Sequence, residues 1–117
     1  LAARTDESPR YLRWITASQG NRLRFVTVDR VCYFQSDNKY TLLVTPDSEL
    51  LIRRPIRELV DELDPQAFWQ IHRSTVVNVN EIADVTKDMH GHMRLHLKQR
   101  KESLAVSETY THLFRQM

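Results

Sequence analysis

The chain has 117 residues, 17 of them Lys or Arg and 15 Asp or Glu, giving a net charge of +2 and an isoelectric point near 8.9. That length suits one domain with its own core, and a lone cysteine excludes a disulfide framework. Only 2 Gly and 4 Pro exclude a low-complexity or linker-like chain, while the slight basic excess permits nucleic acid as a partner without establishing it.

Residues 1–10 are polar and aperiodic, with Arg4, Asp6, Glu7 and Pro9, and read as the end of an interdomain linker. A start at Leu1-Ala2-Ala3 rather than at Met is what a piece of a longer protein would show. One domain is expected over 11–117. Leu12 to Ala17 and Leu23 to Val28 flank the turn residues Ser18-Gln19-Gly20-Asn21, which predicts a first hairpin. Val31 to Gln35, Tyr40 to Thr45 and Glu49 to Arg53 are further strands, separated by Ser36-Asp37-Asn38-Lys39 and Pro46-Asp47-Ser48. Cys32, inside an apolar run, reads as a small buried residue.

The period then changes. Ile56, Leu59, Val60 and Leu63 share one face of a helix, with Pro55 in its first turn and Asp64-Pro65 as its stop. The other face, with Arg57, Glu58, Asp61 and Glu62, is too acidic for a groove-reading helix, so this helix belongs to the core. Phe68 to Ile71 and Val76 to Val79 are strands. Asp84 to Thr86 and Met93 to Leu97 form a hairpin around Asp88-Met89-His90-Gly91. Met93, Leu95 and Leu97 alternate with Arg94, His96 and Lys98, so one face of that strand is buried and the other is wet and basic. Glu102 to Val106 is the last strand. Ser107 is expected to cap a short terminal helix with Tyr110, Leu113 and Phe114 turned inward. The fold class is therefore mainly β: about ten short strands, one interior helix and a short C-terminal helix.

Several chemistries lack their residues. Two glycines cannot build a phosphate loop, there is no cysteine set for zinc, and the interior helix has no partner for a helix-turn-helix. His90 and His92 read as a solvated turn rather than metal ligands. His72 and Ser74 have no third group that would make them hydrolytic. No enzyme activity, metal or cofactor is expected. No apolar run reaches the roughly 18 residues of a membrane-spanning helix, and no signal peptide is visible, so the expected compartment is the cytoplasm and a membrane is not an expected partner.

The stretch Phe68-Trp69-Gln70-Ile71-His72-Arg73-Ser74-Thr75-Val76-Val77-Asn78-Val79-Asn80-Glu81-Ile82 resembles the LytTR (LytR/AlgR-type) family. The shared pattern is an aromatic, an apolar position, His-Arg-Ser, an apolar pair, Asn and a following Ile. Val31 to Ser36 with Asn38-Lys39-Tyr40, Pro55 to Leu59, and Leu104-Ala105-Val106-Ser107 resemble the family's other elements in the same order, so the resemblance spans about 11–117. It implies small sheets packed at steep angles around one helix. It also implies the output domain of a two-component response regulator. Such a domain follows a receiver domain, takes part in a phosphorelay, and reads paired direct repeats of double-stranded DNA with loops, as a homodimer on DNA. The competing reading is a protein-interaction module of a regulator that touches no DNA.

Three loops carry the expected DNA contacts. In the first, Asn38 suits adenine, Lys39 guanine or phosphate, and Tyr40 a phosphate oxygen. In the second, Arg73 suits the two acceptors of guanine, with His72 and Ser74 as donors. The third comprises Ser107, Glu108 and Thr109, where a helix start would offer free N–H groups to a phosphate. The family often has a basic residue where this chain has Glu108, which repels phosphate but accepts from cytosine. Asn38 equally suits a turn, His72 a fixed place at its strand end, and Ser74 a local cap; Asn78 reads as structural. Arg22, Arg24, Arg53, Arg54, Arg94 and Lys98 are further phosphate candidates.

Overall fold

Ten strands form three antiparallel sheets in the computed structural model, which describes residues 10–117. Nearly all of the expected linker thus lies outside the described residues. β1 (Trp14–Gln19) and β2 (Arg22–Thr27) pair alone, closing on Gly20-Asn21. Gly20 sits at φ +64°, a conformation that costs a residue with a Cβ and costs glycine nothing. Ile15, Ala17 and Val26 turn toward the core, whereas Trp14, Leu23 and Phe25 face out at 55%, 57% and 69% exposure.

The central sheet runs β5-β4-β3-β7-β6, from β3 (Tyr33–Asp37), β4 (Tyr40–Val44), β5 (Glu49–Ile52), β6 (Phe68–His72) and β7 (Thr75–Asn78). One face packs on the first hairpin and on α1 (Ile56–Glu62), through Phe34, Leu43, Val76, Ile56 and Leu59. The other face packs on a third sheet, β10-β9-β8, through Tyr33, Val44 and Val77 against Leu95, Leu97 and Leu104. That sheet comprises β8 (Ile82–Lys87), β9 (Met93–Leu97) and β10 (Ser103–Val106). Burial on both faces explains why Val31 to Phe34 is a continuous apolar run rather than an alternating one. Each fully buried Phe or Leu here contributes about 1.5–3 kcal/mol.

The expected strands are all present, with shifted ends. Val31 and Cys32 precede β3 rather than belonging to it, because a 3-10 turn at Val28–Arg30 intervenes. Their backbone is nonetheless paired, Cys32 N–H donating to Val44 and Cys32 C=O accepting from Asn78. Pro55 caps α1 instead of entering its first turn. In β9 the expected alternation holds: Met93, Leu95 and Leu97 are buried, Arg94 is exposed and His96 half-buried, and Lys98 just past the strand is exposed. The terminal helix is a six-residue 3-10 helix, Glu108–Leu113, and the Ser107 hydroxyl does not cap it. Its first bond runs from the N–H of Tyr110 to the carbonyl of Ser107, the short-range pattern of a 3-10 turn. Tyr110 and Phe114 pack inward as expected, Phe114 standing edge-on to Trp69 at 5.7 Å.

A polar network binds the central sheet to the third sheet. Arg100 donates to Glu49, to Glu102 and to the Thr45 carbonyl, and Tyr33 Oη donates to Glu102 at 2.8 Å. Beside it Cys32 is fully buried, with Sγ 3.9 Å from a Glu81 oxygen. Burial, reinforced by the Glu81 carboxylate, pushes this thiol up to about 11. Both folded and unfolded chains hold a neutral thiol below the ordinary thiol range, so the stability tied to this group is complete there. It is lost as pH rises from that range through about 11, by up to roughly 3 kcal/mol. In guanidinium unfolding series at rising pH, Cys32→Ala is expected to lose less stability than the wild type between pH 8 and 11 (values set by the thiol titration range of about 8.5 upward). Parallel pH profiles would contradict this.

Candidate nucleic-acid interface

The order of the central sheet decides where the loops fall. β3 and β4 close on the two residues Asn38-Lys39, since Asp37 pairs with Tyr40. Asn38 takes φ +56°, which a two-residue hairpin requires and which Asn tolerates better than most residues. The turn role weighed for Asn38 is therefore real, and it leaves the exposed side chain free to reach outward. β6 and β7 close on Arg73-Ser74, with His72 opposite Thr75 and a bulge between Gln70 and His72. Arg73 stands exposed at the tip of this turn.

Because β3 pairs with β7, these two turns are neighbours. The register puts Gln35 opposite Thr75, and the N–H of Ser36 donates to the Ser74 carbonyl at 2.9 Å. The third segment joins the same end: the N–H of Ser107 donates to the carbonyl of Ile71, one residue before His72, also at 2.9 Å. All three segments named from the sequence thus lie along one rim. Reading across it, the strand order gives Tyr40 and Lys39, then Asn38, then Ser74, then Arg73 and His72, with Ser107 beyond.

The side chains of the second turn are organised by His72. Its Nδ1 accepts the backbone N–H of Ser74 at 3.2 Å and lies 2.9 Å from Ser74 Oγ. A ring nitrogen that accepts an amide N–H carries no proton in the neutral form, so Nε2 is the donor. Ser74 Oγ in turn lies 3.3 Å from Thr75 Oγ1, which accepts from Gln35. His72 and Ser74 therefore shape the turn, and Arg73 is the residue that this arrangement leaves pointing away from the sheet.

The third segment differs from expectation. A 3-10 helix of six residues aligns too few peptide groups to form the phosphate site anticipated at its start. Ser107 is half-buried, whereas Glu108 and Thr109 are exposed, with the carbonyl of Glu108 taken by Thr111 and that of Thr109 near His112.

The rim also holds a cation that sequence spacing ranked no higher than several others. Ile52 pairs with Thr41, so Arg53 follows β5 at the same end as Tyr40. Arg54 bends back to grip Glu62 with bonds of 2.7 and 2.8 Å, while its carbonyl accepts Thr41 Oγ1. Among the remaining candidates, Arg94 is held by Ser103 and Arg24 by Gln19, and Lys98 lies at the far end of β9. The strand register was the signal that would have singled out Arg53. Asn78, read as structural, is just that: buried, it donates to Val31 and accepts from the N–H of Asn80. His90 and His92 donate their N–H groups to Asp88, and their bonds hold that carboxyl below its usual range. No described helix is long and apolar enough to cross a membrane.

Comparison with known proteins agrees with this fold. The family model described as the LytTr DNA-binding domain matches residues 21–117. A response regulatory protein of Vibrio cholerae is 39% identical over 92% of this chain and 42% of its own length. The positive alginate biosynthesis regulatory protein of Pseudomonas aeruginosa is 30% identical over 72% of this chain and 34% of its own. The chain thus spans less than half the length of these relatives. A solved structure, the LytTr DNA-binding domain of a response regulator from Bacillus cereus, superposes with a TM-score of 0.80 at 25% identity, covering 88% of this chain and 94% of that one. The chain belongs to the LytTR family of DNA-binding domains.

Proposed function

We propose that this domain is the cytoplasmic output module of a two-component transcription regulator, and that it reads double-stranded DNA through the loop rim of its central sheet. The observation that carries this reading is the row of Arg53, Lys39, Tyr40, Asn38 and Arg73 along one edge of one sheet. Strands lie about 4.8 Å apart, so the row from β5 to β6 spans roughly 19 Å. A major groove is about 12 Å wide. The rim is therefore wider than one groove. Its centre, Asn38, Lys39 and Arg73, enters the groove and meets base edges. Arg53 and Tyr40, at the β5 and β4 side, meet the phosphates of the groove wall. His72 donates from Nε2, and Ser74 holds the turn from which Arg73 projects. Glu108, unsuited to phosphate, accepts from cytosine N4. Ser107 and Thr109 complete the third contact. In the full-length regulator a receiver domain governs the binding, and two copies occupy paired direct repeats upstream of the regulated genes.

The test is fluorescence anisotropy of a duplex from the gene's own upstream region, at two salt concentrations. Tight binding that weakens steeply with salt is the expected result, because each neutralised phosphate releases counterions. A salt-independent signal would remove the phosphate contacts, and no binding to any duplex would favour the protein-interaction module.

A further inference from the structure

On the outer side of β5 the rim adjoins a cavity of about 510 Å³ between β1, the end of β5 and the first turn of α1. Its volume falls in the range of small-molecule sites, roughly 300–1,000 Å³. Leu12, Ile15, Ile52 and Leu59 give it an apolar floor, and Leu59 is fully buried, so that floor is part of the core. The wall is fixed: the N–H of Leu12 donates to the carbonyl of Glu62 at 2.9 Å. Arg53, Arg54 and Glu58 are the charged residues of its lining. Arg54 is committed to Glu62, but no hydrogen bond to the side chain of Arg53 exists among the described residues. With Glu58 in the same lining, a second negative charge on the occupant is opposed, while a hydrogen-bond donor is welcome.

We infer that this cavity binds a small aromatic monoanion bearing one N–H or O–H donor, with its anion on Arg53 and its ring against Leu12, Ile15 and Ile52. Resting on the proposed DNA reading, a second step follows. The same guanidinium is the phosphate anchor at the β5 end of the rim, so the anion and DNA compete for it. Linkage makes that competition reciprocal: whatever DNA does to anion affinity, the anion does to DNA affinity.

The probe is 8-anilinonaphthalene-1-sulfonate, an aromatic monoanion with one N–H, titrated into this chain. A single saturable site and a raised melting temperature are expected, since a ligand of the folded state stabilises it. Arg53→Ala should weaken binding at least fivefold, and Thr16→Trp, at an exposed position lining the cavity, should abolish it. Met89→Ser, at the exposed turn between β8 and β9 and outside the cavity lining, should leave affinity unchanged. Non-saturable binding, a lowered melting temperature, or equal losses in Met89→Ser and Arg53→Ala would each overturn the site in favour of adsorption on exposed apolar surface. Adding a bound duplex should release the probe. A probe that stays in place on the protein–DNA complex would overturn the competition, and a duplex that never binds would instead overturn the DNA reading itself.

Discussion

Replacing Asn78 with alanine is expected to lower stability by about 3 kcal/mol, the largest loss from any single polar substitution in this domain. Asn78 ends β7 at 2% exposure, where no water replaces a lost partner. Its Nδ2 donates to the carbonyl of Val31 at 2.9 Å, and its Oδ1 accepts the N–H of Asn80 at 3.0 Å. The side chain thereby stitches the approach to β3 onto the 3-10 turn that follows β7 (Val79–Glu81). Truncation leaves both a buried acceptor and a donor unpaired, at about 1–3 kcal/mol for each group that water cannot reach, and adds a small cavity. Asn80→Ala is the control. Only the backbone of Asn80 takes part in the bond and its side chain is exposed, so it should cost no more than about 0.5 kcal/mol. Urea unfolding followed by circular dichroism measures both. An Asn78→Ala variant within about 1 kcal/mol of wild type would show that water or relaxation satisfies these groups.

The second large effect is on binding. Arg73→Ala is expected to weaken a specific DNA site by about 1–3 kcal/mol, roughly five- to 150-fold, while leaving the fold intact. The fold survives because Arg73 is exposed in a two-residue turn whose shape is set by its neighbours His72 and Ser74. The pattern of loss identifies the partner. A guanidinium on guanine O6 and N7 relaxes the preference at one base position and leaves other sequences bound nearly as before. A guanidinium on phosphate weakens all sequences alike and lowers the salt slope by about one. Arg73→Lys separates geometry from charge, because an ammonium keeps the charge but cannot form the two-pronged contact. Full specificity in Arg73→Lys would count against base reading, and unchanged affinity in Arg73→Ala would remove Arg73 from the interface.

Much of this was legible in the sequence, for reasons that differ by element. β9 alternates because one face is buried and the other wet, so its bounds follow from period alone. α1 shows because Ile56, Leu59 and Leu63 repeat at helical spacing around a core contact. The central sheet gives no alternation, being covered on both faces, and its strand ends blur accordingly. The first hairpin misleads in the other direction: Trp14, Leu23 and Phe25 are apolar yet exposed, and apolar residues outside the core carry no signal of where they lie. The terminal element was too short to tell a 3-10 turn from an α-helix by pattern. At the interface, the His72-Arg73-Ser74 run marked one loop and family order marked the others. What no local pattern showed is that β3 pairs with β7. That distant pairing is what makes separate loops one rim, which Arg53 joins through the local pairing of β4 with β5.

The two turns at the centre of that rim contain two residues each, and the neighbouring strands are locked to one another by backbone bonds. A one-position slip of either strand would exchange its inward and outward faces across a sheet buried on both sides, so an added residue has to be absorbed within the turn or in a bulge such as the one between Gln70 and His72. On the proposed DNA reading, exchanging side chains at Asn38, Lys39 or Arg73 changes the preferences of the rim while the strand register beneath it stays as it is.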